Sequence, residues 1–247
     1  MDLQTFFTQH PRAAIAFSGG VDSTYLLYAA ARAGADVCAY YVQSEFQPAF
    51  ERRDAERLAR DVGARMRVLQ VSALCAPGVR ENPPERCYFC KKAIFAAIAA
   101  AAREDGYTLL LDGTNASDDA ADRPGMRALR ELSVRSPLRE CGLTKAEIRE
   151  ASRAAGLFTW DKPAYACLAT RIPAGEVITP EKLAATERAE DYLFSLGFTD
   201  FRVRYAAGAA KIQLPAAQWA KLTEHRAEIL NFLRQDYTAV TLDLEVR

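Results

Sequence analysis

Five strings in the chain carry residue types that do chemistry. Ser18-Gly19-Gly20-Val21-Asp22-Ser23-Thr24 sets two glycines and three hydroxyl side chains where an apolar run gives way to a helical pattern. The glycines let backbone N–H groups approach an anion. Ser18, Ser23 and Thr24 add hydroxyl donors, and the following helix turns its positive end to the same place. The string reads as a phosphate cradle. Asp112-Gly113-Thr114-Asn115-Ala116-Ser117-Asp118-Asp119 is either a loop whose Asp118 and Asp119 hold Mg²⁺ or an Asx-rich turn capping the next helix. Cys87-Tyr88-Phe89-Cys90 is a single CxxC, a weak metal signal because tetrahedral zinc usually takes a second pair. Cys167 lies between Pro163 and Pro173 with Lys162 and Arg171 nearby, and cations favour a nucleophilic thiolate, although a lone cysteine is more often inert. Arg202 and Arg204 alternate on a probable strand, so they share a face that could clamp a phosphate or simply meet solvent.

These strings need a scaffold, and the hydrophobic pattern supplies one. Strand-like runs at Ala13–Phe17, Val37–Val42, Arg67–Val71 and Thr108–Leu111 alternate with helical stretches, with a further short strand expected at Leu132–Arg135. Thr144-Lys145-Ala146-Glu147 is a capping box that opens a helix ending at Gly156. Such alternation predicts an α/β domain with a parallel sheet covered by helices, in which the cradle and the Asp112 loop both lie at strand carboxyl ends. After Trp160 the pattern changes. It predicts a helix over Pro180–Leu196, strands at Phe201–Tyr205 and Lys211–Leu214, a helix from Pro215 to about Leu233, and a last strand over Thr238–Val246. The division expected is 1–165 and a small α+β domain over 166–247.

Composition narrows the classes. The 247 residues carry 32 Lys+Arg and 32 Asp+Glu, and half are hydrophobic, an ordinary globular balance. Zero net charge gives no whole-chain reason to expect nucleic acid or a membrane as partner. Six cysteines are too scattered for a disulfide scaffold. The N-terminus lacks a basic region followed by an apolar core, and no apolar run reaches spanning length, so a cytoplasmic protein is expected.

The cradle resembles the PP-loop of the N-type ATP pyrophosphatases and differs from a Walker A loop, which would end in Lys-Ser/Thr. Together with Asn82–Lys91 (NPPERCYFCK), DGTNASD, Arg123-Pro124-Gly125, Ser136-Pro137-Leu138, WDKPAYACLATRIPAG and Arg202-Val203-Arg204, it resembles the LarE family over nearly the whole chain. Those are ATP-dependent sacrificial sulfur transferases that help make a nickel-pincer nucleotide cofactor. The resemblance implies a PP-loop adenylating domain and a C-terminal domain that binds substrate and makes a homo-oligomer. It implies ATP and Mg²⁺ and a nicotinate-derived mononucleotide, pyridinium-3,5-biscarboxylic acid mononucleotide, as substrate. ATP would meet Ser18 to Thr24 together with Gly113, Thr114 and Asn115. Arg171, Arg202, Arg204, Arg123 and Tyr88 would bind substrate, with Tyr88 stacking on the pyridinium or merely packing. Glu190 joins Asp118 and Asp119 as a metal candidate by family position. Where the family commonly has an acidic residue this chain has Gln213, which counts against a C-terminal metal site. Cys167 occupies the sacrificial position: it would attack an acyl-adenylate, surrender its sulfur and become dehydroalanine.

Three other readings remain open. Cys87, Cys90 and Cys167 could hold a [4Fe-4S] cluster with an open iron corner, making the chain a true catalyst. A tRNA-thiolating enzyme would share the adenylation step but needs a basic RNA surface. A nucleotide-binding or sulfur-carrier protein would keep the cradle without the reaction.

Overall fold

The computed structural model describes residues 1–118 and 124–245. The chain forms two compact units, Met1–Val79 with Glu85–Tyr165, and Arg80–Pro84 with Ala166–Arg247. The sequence pattern gives no hint that residues 80–84 belong with the second unit.

In the first unit a short helix, α1 (Leu3–Gln9), precedes β1 (Arg12–Ala16), α2 (Val21–Arg32), β2 (Asp36–Gln43), α3 (Ala49–Val62), β3 (Arg65–Gln70), α4 (Arg86–Glu104) and β4 (Leu110–Leu111). Then come α5 (Pro124–Glu131), α6 (Pro137–Glu140) and α7 (Lys145–Ala154). The sheet is parallel throughout, in the order β3-β2-β1-β4. β2 (DVCAYYVQ) is buried along nearly its whole length, as a strand covered on both faces must be. α3 turns Ala55, Leu58 and Ala59 inward from one face and stops at Gly63, which adopts φ +73°. α7 begins with the expected capping box: Thr144 accepts from the Glu147 N–H while the Glu147 carboxylate accepts from the Thr144 N–H. That bonding, first of all from the Thr144 hydroxyl, holds the Glu147 carboxyl below its usual range.

The strand expected at Leu132–Arg135 reduces to one bridge, Leu111 to Arg135. Ser133 takes a positive φ just before it, so the run cannot lie extended. The helix α5 was hidden in the sequence behind Pro124 and Gly125. At Gly125 a Cβ would lie 2.9 Å from Lys91 Cδ, toward the flexible end of that lysine side chain on α4.

The second unit holds α8 (Pro180–Ser195), β5 (Arg202–Ala206), β6 (Ala209–Gln213), α9 (Trp219–Glu224), α10 (Arg226–Leu233) and β7 (Ala239–Leu242). β5 and β6 pair antiparallel, and β6 and β7 pair parallel. One sheet face carries Val203 and Ile212 into a core with Ala189, Leu193, Phe198 and Ile229. The opposite face carries Arg202 opposite Gln213 and Arg204 opposite Lys211. The single helix expected from Pro215 to Leu233 is broken at His225, which closes α9 and opens α10 with φ −88° and ψ 7°. The His225 side chain bonds to Glu228 and its ring meets Phe198, so the residue is held out of helical geometry from both sides. No helix among the described residues is long and apolar enough to cross a membrane.

Candidate active site

The cradle sits where β1 meets α2. Gly19 has φ +71°, and a Cβ there would come within 3.2 Å of Ala55 Cβ on α3, so both backbone sign and space demand glycine. Ser18 and Ser23 brace the loop. Their hydroxyls lie 3.1 Å apart, the Ser18 N–H donates to Ser23 Oγ at 3.3 Å, and Ser23 Oγ donates to the Gly20 carbonyl at 3.2 Å. α2 starts at Gly20 with no side-chain cap, which leaves its first N–H groups for an anion. Thr24 Oγ1 is buried and has no hydrogen-bond partner among the described residues.

β4 lies directly beside β1, on the side opposite β2. This is the point where the strand order reverses, and the loops leaving both strands share one crevice. Their closeness is steric: a Cβ on Gly113 would lie 2.9 Å from the Ser23 amide nitrogen. Asn115 Nδ2 donates to Asp22 Oδ1 at 3.3 Å, and Lys145 from the start of α7 pairs with the other Asp22 oxygen. Asp112 accepts from the hydroxyls of Thr114 and Ser136 and so fixes the loop. Lys145, Asp112 and Ser136 stand in strings the sequence singles out, but no role in the site is assigned to them there. The capping box beside Lys145 was the available signal, because it places that residue at a helix start facing the sheet's carboxyl end.

Asp118 Oδ2 accepts the Asn115 N–H at 3.0 Å, and Asn115 Oδ1 accepts the Ser117 N–H at 2.8 Å. The string is therefore an Asx-type turn, whatever else it binds. Asp119 and Arg123 lie outside the described residues. Tyr88 joins α4 to α5: its hydroxyl donates to Glu131 at 2.7 Å, Lys92 donates to it at 3.1 Å, and the Arg127 guanidinium lies 3.9 Å from the ring centroid. The Tyr88 bond, ahead of the Lys92 contact, lowers the Glu131 carboxyl below its usual value. One face of the Tyr88 ring thus already receives a cation. Cys87 is exposed and Cys90 buried on the first turn of α4. Burial raises the thiols of Cys38 and Cys141, in keeping with ordinary protonated cysteines.

Within the second unit, Cys167 is half-buried and opens a 3-10 turn over Leu168–Arg171. Arg171 anchors that turn. Its Nε and one terminal nitrogen bind the two Glu190 oxygens at 2.8 and 3.0 Å, with both side chains 1% exposed. Glu190 Oε1 also accepts the Val203 N–H at 2.9 Å. Arg171's remaining nitrogen donates to the Ala166 carbonyl and to Thr170 Oγ1. Glu190 is thus committed to a guanidinium and a backbone amide. That donor set is the one an anchor uses. Arg171 thus spans from Glu190 to the Ala166 carbonyl and braces the cysteine loop. Lys162, the other cation expected beside Cys167, pairs with Asp54 in the first unit at 2.6 Å. Asn82 holds the loop's far end, donating to the carbonyls of Ile172 at 3.2 Å and Pro173 at 2.7 Å. Its φ of +53° marks a built position. Arg204 is exposed, donating to the Thr170 carbonyl at 2.9 Å and to Gln213. Arg202 is mostly buried on the same strand face. Among the described residues, no group of three or more His, Cys, Asp or Glu side chains is gathered as a metal ion would need. The three-thiolate cluster therefore gains no support.

Residues 12–79, from β1 through the turns that follow β3, match the family described as "Queuosine biosynthesis protein QueC". An uncharacterized protein of Synechocystis sp. is 38% identical, covering 99% of this chain and 92% of that protein. One from Methanocaldococcus jannaschii is 27% identical, with 94% and 89% covered. The pyridinium-3,5-bisthiocarboxylic acid mononucleotide synthase of Lactiplantibacillus plantarum is 33% identical over 94% of this chain and 86% of its own length. This chain belongs to the LarE family. As a LarE-family protein it is an ATP-utilising sulfur transferase on a PP-loop α/β fold. Within the second unit, the loop carrying Cys167 is anchored by the Arg171–Glu190 pair and by Asn82.

Proposed function

We propose that this protein adenylates a carboxylate of pyridinium-3,5-biscarboxylic acid mononucleotide and replaces it with a thiocarboxylate, using the sulfur of Cys167, in the synthesis of a nickel-pincer nucleotide. The observation that carries the reading is the partly exposed Cys167 on a loop anchored by a fully buried ion pair, in a chain 33% identical to a synthase of the bisthiocarboxylic acid mononucleotide. Mg²⁺ enters with ATP as part of the substrate. The uncapped N-terminus of α2 and the unpartnered Thr24 hydroxyl suit a phosphate chain. Asp22, bridged to Lys145 and Asn115, ties the cradle to the Asp112 loop, so that Gly113, Thr114 and Asn115 complete the ATP site. A substrate carboxylate oxygen attacks the α-phosphate, pyrophosphate leaves, and the Cys167 sulfur then displaces AMP to form a thioester. Loss of the Cys167 Cα proton breaks the Cβ–S bond. Sulfur departs with the product and residue 167 becomes dehydroalanine, so each molecule acts once. Arg202 and Arg204 would receive the nucleotide phosphate, and Tyr88 would meet the pyridinium.

The test is intact-mass measurement after incubation with ATP, Mg²⁺ and the substrate. The protein should lose the elements of H₂S at residue 167. Thiolated product formed by a protein of unchanged mass would overturn the sacrificial route.

A further inference from the structure

The backbone carbonyl of Cys167 has more donors than its turn requires. Closing the 3-10 turn uses one bond, from the Thr170 N–H at 2.9 Å. The Thr170 hydroxyl adds a second at 2.8 Å, and the Arg171 guanidinium stands at 3.5 Å from the same oxygen. The guanidinium also donates to Thr170 Oγ1 at 2.9 Å, so the hydroxyl that faces the carbonyl is itself polarised by a full positive charge.

That oxygen is where charge develops if Cys167 gives up its sulfur. A thioester on Cys167 eliminates by losing its Cα proton to solvent. The released electron pair spreads onto the residue's own amide carbonyl and then forms the Cα=Cβ bond as the Cβ–S bond breaks. Sulfur leaves with its bonding pair as the thiocarboxylate, with no net oxidation. An amide Cα–H is a weak acid, so donors fixed on the enolate-like oxygen lower this barrier more than any contact to the neutral thioester. The geometry points to Thr170 as a catalytic residue for the elimination step, with Arg171 positioning and polarising its hydroxyl; this rests on the sacrificial reading of Cys167.

The experiment is a single-turnover time course with ATP, Mg²⁺ and substrate, quenched and followed by intact mass through parent, thioester adduct and dehydroalanine forms. Losing one such donor slows the step it serves by about 100-fold. Thr170→Val and Thr170→Ala should therefore both accumulate the adduct and eliminate about 100-fold more slowly, while Thr170→Ser should return to within a few-fold of the parent. The ratio of adduct formation to elimination separates this from a loop that has merely lost its shape, which would slow formation as well. Elimination by Thr170→Val at the parental rate would overturn the role of Thr170 and leave the sacrificial reading standing. So would a Thr170→Ser variant as slow as Thr170→Ala, since that assigns the effect to the methyl group. A parent protein that makes thiolated product with unchanged mass would overturn both.

Discussion

Replacing Glu190 by alanine should destabilise the second unit severely. The substitution leaves the Arg171 guanidinium, 1% exposed, without the carboxylate that binds it at 2.8 and 3.0 Å. Breaking a buried pair in this one-sided way costs about 3–5 kcal/mol. The Val203 N–H loses its acceptor too, and an unpaired buried donor adds about 1–3 kcal/mol. A combined loss of roughly 4–8 kcal/mol is a large share of the ~5–15 kcal/mol that keeps a domain folded. For a unit of fewer than a hundred residues, at about 4–8 °C per kcal/mol, the melting temperature should fall by at least about 16 °C. Scanning calorimetry and urea unfolding on the full chain would measure it. The paired change Arg171→Met with Glu190→Leu should recover most of the loss, because apolar residues of similar volume often match a buried ion pair. A Glu190→Ala protein within about 1 kcal/mol of the parent would refute the anchor.

Gly113→Ala should abolish AMP release with substrate present, because its Cβ would stand 2.9 Å from the Ser23 amide nitrogen and must push β4's loop off the cradle; pyrophosphate and AMP assays check it. Arg204→Ala should weaken substrate binding by about 10- to 150-fold while leaving ATP affinity unchanged, as isothermal titration can show for each ligand separately, since a charge-assisted contact is worth about 1.5–3 kcal/mol. Asp105 is held below its usual carboxyl value of 3.8, first by the Tyr40 hydroxyl and then by Arg67. A lowered native pKa contributes stability that is fully present above the unfolded value and is lost as pH falls through the lowered native one. Acid unfolding should therefore begin near pH 4 and steepen below it, and Asp105→Asn should flatten that slope in a pH series of urea midpoints.

The parallel sheet and the cradle were legible because each rests on a local rule. An apolar run, a glycine pair and an amphipathic helix in succession admit few other arrangements. The capping box at Thr144 and the αL stop at Gly63 were visible for the same reason. What escaped depends on partners distant in sequence. Nothing near Arg171 marks Glu190 as its mate, so the buried ion pair could not be read from the sequence. Nothing near Asn82 tells that its side chain serves Ile172 and Pro173. The break at His225 is hidden for a related reason: its neighbours favour helix, and its ring meets Phe198, a residue the local pattern does not show.

The segment 80–84 belongs to the second unit although the chain returns to the first at Glu85. The unit is therefore not a cassette that can be cut at residue 166 and moved elsewhere. A fragment beginning there would carry Cys167 without Asn82 to hold the carbonyls of Ile172 and Pro173. The same discontinuity orders events in time. Asn82 leaves the ribosome ninety residues before Ile172, so its side chain must wait for its acceptors. Loop closure over that span costs entropy that only the finished unit can offset. The loop that bears Cys167 therefore closes only once residues far apart in the chain have met.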